Sequence, residues 1–216
     1  VQKAIDFLTS ASPDEMTGTG NNGAYAHGIR TYALCEAYTM TKIPKLKEYA
    51  KRAAIFTIKG QNENGGWAYG FGKGPVAHTD LSVTGWCIQG LKAAALTGIP
   101  IDGLDESMDK AIEYVKRCQD ETGRFKYKMD SHGGQSGGGS LTGTGILSLQ
   151  IWKNAKSPEA KKGLEWIEKN ITENKSKQEW KNVNVYAWYY HAQACFQATG
   201  AGQSNFWRSW NRDFQR

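Results

Sequence analysis

The chain has no window of 18 or more apolar residues among its 216, so it is not expected to carry a membrane-spanning helix. Its opening residues, "VQKAIDFLTS", lack the apolar core of a secretory leader. A start at Val1, inside a helical pattern, is that of a trimmed or processed chain, and a soluble protein exported with its leader removed would start this way. Cysteine is sparse. Cys35, Cys87, Cys118 and Cys195 stand far apart without a Cys-x-x-Cys pair, which excludes the local zinc frameworks and predicts free core thiols, with one disulfide left open. A strong excess of one charge is also missing: 27 basic and 21 acidic residues give +6, spread along helical faces. The densest basic stretch, "KLKEYAKR" at 45–52, reads as the wet side of a helix, and without a recognition motif no nucleic-acid partner is expected.

What is present suffices for a core. Apolar residues make up 39% and aromatics 12%, enough to fold one domain or a small two-domain protein. The chain also repeats itself. "KAIDFL" at 3, "RAAIFT" at 52, "KAIEYV" at 110 and "KGLEWI" at 162 share a basic residue, a small residue and an aromatic at fixed places. Each begins a stretch with apolar residues three and four apart, as at Ala111, Tyr114, Val115 and Cys118, which is a helix covered on one face.

Between these lie helices apolar nearly all round and rich in glycine and alanine: 26–38, 79–98, 140–152 and 182–200. The second and fourth align at an offset of 102, matching Val83 with Val185 and Trp86 with Trp188. A glycine inside a helix costs about 1 kcal/mol relative to alanine, so Gly85, Gly90, Gly143 and Gly145 predict close helix-to-helix approach in an inner layer. Thr79 or Asp80 is placed to cap the second inner helix and Ser140 the third, while Pro44 and Pro158 open outer helices. The expectation is an all-α array of about four helical hairpins in a single repeat domain over 1–216, with almost no strand.

Two of the outer helices run into turns of one design, "GQNENGGW" at 60–67 and "CQDETGRF" at 118–125. Gln61 and Gln119, Gly65 and Gly123, and Trp67 and Phe125 correspond. The pattern resembles the QW repeat of the squalene cyclase and prenyltransferase α/α toroid superfamily, most closely its bacterial prenyltransferase or squalene-oxidase repeat proteins, which have near equivalents of "GGWAYG...TDLSVTGW" and "NVYAWYYHAQ". The resemblance implies a toroid-like array, open or incomplete at four hairpins, in which the glutamine satisfies carbonyls at a helix end and the ring lids the junction between repeats. The fourth repeat lacks the glutamine and glycine and ends "ITENKSKQEW", a degenerate terminal unit. The enzymes of the superfamily carry motifs that this chain lacks: no Asp-x-Asp-Asp acid, no magnesium-binding aspartate cluster and no Asp-x-Cys zinc pair occur, and Asp80 is followed by Leu81 and Ser82. The thioester motif of complement-like toroids is absent as well.

The connections from outer to inner helices fall on one rim in such an array. That rim collects Tyr25, His27, Tyr69, His78, Asp80, Tyr127, Asp130, His132, Asn184 and Tyr186. His78, Asp80, His27 and His132 are the candidate catalytic groups, able to act as acid and base or, as three histidines and a carboxylate, to hold zinc; the plainer reading makes Asp80 a helix cap. No cofactor is otherwise implied. Tyr69, Tyr127, Asp130, Tyr186, Trp188 and Tyr189 are the candidate ligand-binding residues, with "YAWYY" at 186–190 divided between core and cavity wall. The glycine-rich segment 127–140 reads as a connection or a mobile flap, and "NFWRSWNRDFQR" as a further helix docked on the array. The first expectation is a non-catalytic repeat domain binding a peptide, a glycan or an apolar molecule on its concave face. The alternative is an enzyme related to terpenoid cyclases, prenyltransferases or α/α-toroid polysaccharide lyases. A lyase would need a basic residue beside its substrate, for which Arg30 and Arg124 are the nearby arginines.

Overall fold

The computed structural model describes residues 2–10, 12, 22–72, 78–129, 139–172 and 183–214. Among them are nine α-helices: α1 (Gln2–Leu8), α2 (Gly23–Thr41), α3 (Pro44–Lys59), α4 (Leu81–Leu96), α5 (Leu104–Arg117), α6 (Thr142–Ile151), α7 (Pro158–Ile167), α8 (Val185–Gln197) and α9 (Ser204–Phe214). A π-helical turn, Glu168–Thr172, prolongs α7. No strand occurs among the described residues, only isolated bridges between Ala68 and Thr79 and between Gln119 and Phe125. The four repeated segments lie in α1 and in the C-terminal halves of α3, α5 and α7.

Local chemistry sets the helix ends. Pro44 and Pro158 stand in the first turns of α3 and α7, where a missing N–H breaks no intrahelical bond. Asp80 caps α4 and Asn184 caps α8, their carbonyl-type oxygens accepting from backbone N–H groups two or three residues on. Ser140 does not cap α6. The N-cap there is Leu141, with no side-chain bond, and the neighbouring hydroxyl of Thr142 instead accepts from the N–H of Phe125 at 3.2 Å. That bond repeats one 58 residues earlier, from Trp67 N–H to Thr84 Oγ1 at 3.1 Å. The third inner helix is thus fastened to the preceding turn rather than capped by its own serine.

The chain divides into two compact units, 1–113 and 114–216, with the division inside α5. In the first, α2 packs along α4, α3 lies against both, and α1 rests on α2. The α2–α4 contact is close because side chains are missing from it: a Cβ on Gly28 would lie 3.2 Å from the backbone of Trp86, and one on Gly90 would lie 2.9 Å from the carbonyl oxygen of Gly28. In the second unit α6 packs along α8, α7 lies against both, and α9 covers α8 and the π-helical turn. A Cβ on Gly143 would stand 2.5 Å from the backbone nitrogen of His191 and from the carbonyl carbon of Tyr190. Glycine between inner helices therefore does what its helix-forming cost requires.

These contacts correct the register between the two units. Gly28 meets Trp86 and Cys87, and Gly143 meets Tyr190 and His191, partners 104 residues apart; the caps Asp80 and Asn184 are separated by the same interval. At the sequence offset of 102, Val83 would match Val185, yet Val83 is fully buried and Val185 is 74% exposed. The likeness of Trp86 and Trp188 is one of composition, not of position.

The two turns are built alike. Gln61 Nε2 donates to the carbonyl of Gly65 at 2.9 Å and to that of Ser107, in the first turn of α5, at 2.8 Å. Gln119 Nε2 donates to Gly123 at 3.0 Å and to Glu159, in the first turn of α7, at 2.9 Å. Gly65 and Gly123 hold φ of +91° and +100°, a conformation that penalises any side chain. The rings of Trp67 and Phe125 are fully buried. The expected division of labour is reversed in one respect: the carbonyl near the end of α3, that of Thr57, receives the indole N–H of Trp67 at 2.7 Å, while the glutamine reaches forward to the next outer helix.

Candidate functional site

The sequence-derived site residues fall into three groups. His27, on α2, is completely buried, with Nε2 3.1 Å from the carbonyl oxygen of Ala53 and its ring against Phe56 and Phe71 at centroid distances of 4.8 and 5.7 Å. It sits in the layer between α2 and α3. His78 is exposed at the start of the run that leads into α4. Asp130 and His132 lie outside the described residues. Among the described residues no group of three or more His, Cys, Asp or Glu side chains stands close enough to hold a metal ion.

Asp80 is the best-defined of these groups. Its Oδ1 accepts from Ser82 N–H at 2.8 Å, from Val83 N–H at 3.1 Å and from the Ser82 hydroxyl at 2.5 Å. Oδ2 is buried and has no partner among the described residues. Burial pushes the carboxyl above the usual carboxylate range, against the three bonds that favour its charged form. The Ser82 hydroxyl continues the chain to the Tyr69 hydroxyl at 3.4 Å. Tyr69 is anchored beside α2, because its carbonyl accepts from Ala24 N–H at 2.7 Å.

From this hydroxyl pair an aromatic ledge extends along α2 and α4. Ser82, Trp86, Gln89 and Ala93 follow one another along a single face of α4 at helical spacing, Ser82 and Ala93 buried, and Tyr25, Ile29, Tyr32 and the half-buried Glu36 do so on α2. Trp86 is the hinge: Tyr25 meets it at 6.3 Å between centroids and 57°, Tyr32 at 6.4 Å and 80°. Tyr25, Trp86 and Gln89 are half-buried, whereas Ile29 and Tyr32 are 40% and 39% exposed. The Gln89 amide donates to the carbonyl of Gly85 at 3.3 Å. The missing Cβ atoms of Gly28 and Gly90 bring the two helices near enough for their rings to touch.

The candidate ligand residues of the second unit are differently disposed. Tyr186 has its hydroxyl 3.4 Å from Thr144 Oγ1 and its ring 4.8 Å from Tyr190, which is buried. Trp188 packs on Trp210 of α9 at 5.8 Å, so α9 claims the ring expected to line a cavity. Tyr189 is 55% exposed and Tyr127 half-buried. His191 is buried, with Nε2 3.3 Å from the Gly139 carbonyl, Nδ1 without a partner among the described residues, and a pKa lowered by desolvation to about 4. The two arginines considered for lyase chemistry are structural in their contacts. Arg30 donates to the carbonyls of Leu8 and Ser12, tying α1 to α2, and Arg124 pairs with Asp120 at 3.0 Å.

Ile29, Tyr32, Ser82 and Gln89 were not picked out from the sequence. The spacing of Tyr25, Ile29 and Tyr32, three large side chains at i, i+4 and i+7 on a helix whose buried residues include Ala24, His27, Gly28, Thr31, Leu34 and Cys35, is the feature that points to Ile29 and Tyr32. No helix among the described residues is long and apolar enough to cross a membrane. No protein-family model matches the chain, and comparison with curated proteins returns no match.

Proposed function

We propose that the chain is a ligand-binding repeat domain, with its hairpins arranged as in an α/α toroid and its ligand carried on the inner-helix surface of α2 and α4. The observation that supports this reading most is the ledge of Tyr25, Ile29, Tyr32 and Trp86, large side chains left half-open to water on two helices that approach closely at Gly28 and Gly90. Contiguous exposed aromatic surface is where binding energy concentrates. Two of the four groups read as acid and base have other employment, His27 as a core hydrogen-bonding residue and Asp80 as a helix cap.

The test is a titration of protein labelled with ¹⁵N in its indoles, watched by the Trp86 Nε1–H resonance, which a Trp86→Phe variant assigns. The probes are maltohexaose, cellohexaose, farnesol and decaproline. Movement of the Trp86 resonance with at least one probe, without movement of the buried Trp67, is the expected result. A Trp86 resonance indifferent to all four would remove this face as the binding surface. Turnover of a probe without that movement would turn attention to the enzymatic alternative.

A further inference from the structure

We propose that Asn22 is a site of spontaneous covalent modification, where the chain converts its own asparagine to aspartate and isoaspartate, and that the fold withholds the same reaction from Asn64. The inference is independent of what the ledge binds. Asparagine followed by glycine occurs at Asn22–Gly23 and at Asn64–Gly65 and nowhere else in the sequence.

In this dipeptide the backbone nitrogen of the glycine can attack the side-chain amide carbon of the asparagine, because no Cβ on the second residue crowds the approach. The new C–N bond closes a cyclic succinimide. The bond from that carbon to the side-chain nitrogen breaks, and the nitrogen leaves as ammonia, carrying the proton of the glycine amide. Water then opens the ring at either of its carbonyls. One opening gives aspartate; the other gives isoaspartate, with the main chain routed through the former side chain. Water is the only co-reactant, and the ionised product lowers the formal charge of +6 by one.

The two dipeptides differ in what holds the reacting atoms. At Asn64 they are all engaged. Nδ2, the leaving group, donates to Thr79 Oγ1 at 2.9 Å, Oδ1 accepts from Gly66 N–H at 3.0 Å, and the attacking nitrogen of Gly65 donates to the Asn62 carbonyl at 2.9 Å. Gln61 Nε2 on the Gly65 carbonyl and Asn62 N–H on that of Gly66, each at 2.9 Å, close the turn around them. Swinging the Gly65 nitrogen toward Asn64 Cγ gives up several of these bonds at once, so reaction there waits on local opening of the turn.

Asn22 is held differently. It is exposed, and as the residue before α2 its side chain makes no capping bond. Gly23 is the first residue of α2, where a backbone N–H has no carbonyl within the helix to meet. The fastened part of the helix begins at Ala24, whose N–H donates to the Tyr69 carbonyl at 2.7 Å. Gly23 is buried, but the amide that leaves and both carbonyls that water must reach belong to Asn22. Aspartate there would set a full negative charge against the positive end of α2, a favourable placement, whereas isoaspartate would lengthen the main chain where it enters the helix that bears Tyr25.

The experiment incubates the full chain in mildly alkaline buffer for days to weeks, native and unfolded in guanidinium chloride, and follows both asparagines by peptide mapping with mass detection. The ratio of the Asn22 rate to the Asn64 rate is expected to be larger in the native protein than in the unfolded chain by roughly tenfold or more. A native ratio no larger than the unfolded one would overturn the proposal. So would a native protein in which Asn22 stays intact over the time the unfolded chain converts it, since that would deny the modification site itself. Thr79→Val removes the acceptor of the Asn64 amide; with folding checked by thermal melting, it should raise the native rate at Asn64 several-fold and leave Asn22 as it was. An Asn64 rate unchanged in the folded variant would overturn the part given to that bond in the protection.

Discussion

The side-chain amide of Gln61 donates to the carbonyl of Ser107 at 2.8 Å, joining residues 46 apart and fixing the turn after α3 to the first turn of α5. Its second donation, to Gly65, closes the turn on itself. Gln119 makes the same two bonds one repeat later.

Replacing Gln61 by alanine leaves two carbonyls short of a donor and is expected to cost about 1–3 kcal/mol. Gln61→Glu should cost more, because a carboxylate would face two carbonyl oxygens. Urea denaturation midpoints of the two variants, with Gln119→Ala as the matched change, measure both.

Trp67→Phe keeps a buried ring, as the second repeat does at Phe125, and removes the indole donor to Thr57. A loss of about 1 kcal/mol is expected, since that carbonyl also accepts from Gly60 N–H at 3.0 Å and is not left bare. A loss near that of a Trp67→Ala cavity would show that the ring's own packing changes.

Gly143→Ala places a methyl group 2.5 Å from the α8 backbone, which no rotamer can relieve. The expected outcome is destabilisation by about 2–3 kcal/mol despite alanine's better helix propensity. At Gly28 the nearest backbone atoms are 3.2–3.3 Å away, and the same change should cost distinctly less.

The buried imidazole of His191 makes the fold sensitive to acid. The unfolded chain takes up this proton near its ordinary 6.5, the folded chain only near 4. Between these values the unfolded state holds more protons, so stability falls as pH is lowered through the window, by on the order of 3 kcal/mol at full extent, and is unaffected by this group above it. His191→Gln, which keeps a donor for Gly139, should flatten the pH dependence of the melting temperature from pH 6.5 to 4.

All four cysteines are free and buried, and desolvation raises the thiols of Cys35 and Cys195 to about 12. The native protein is expected to take up no thiol reagent at pH 8 over minutes, and the unfolded chain to take up four equivalents. Rapid labelling of the native protein at any of the four would contradict this burial.

The sequence made the helices legible because their causes are local. Pro44 and Pro158, the Asp80 cap and the glutamine–glycine–aromatic turns each act within a few residues, and each stands where the pattern put it. The register between units was not legible, because it is fixed by where backbones touch, at Gly28 and Gly143, while the eye is drawn to the two tryptophans. Ser140 misled for a similar reason: a serine before a helix suggests a cap, yet the hydroxyl used there is that of Thr142, pointed at a turn 17 residues away. The rim histidines shared a topological position, but His27 belongs to the face of α2 that packs on α3, a distinction that needs the helix partners to be known.

The furthest-reaching of the hydrogen bonds described above, from His191 to Gly139, spans 52 residues, and the two glutamine bonds span 46 and 40. Each is about as long as one repeat. Ties of that range do not depend on the total length of the chain, so a hairpin duplicated or deleted in the gene would disturb them only at the seam where it joins. Growth by copying is thus open to this architecture, and the aromatic ledge, carried by one pair of inner helices, could be inherited, multiplied or lost with the copy that bears it.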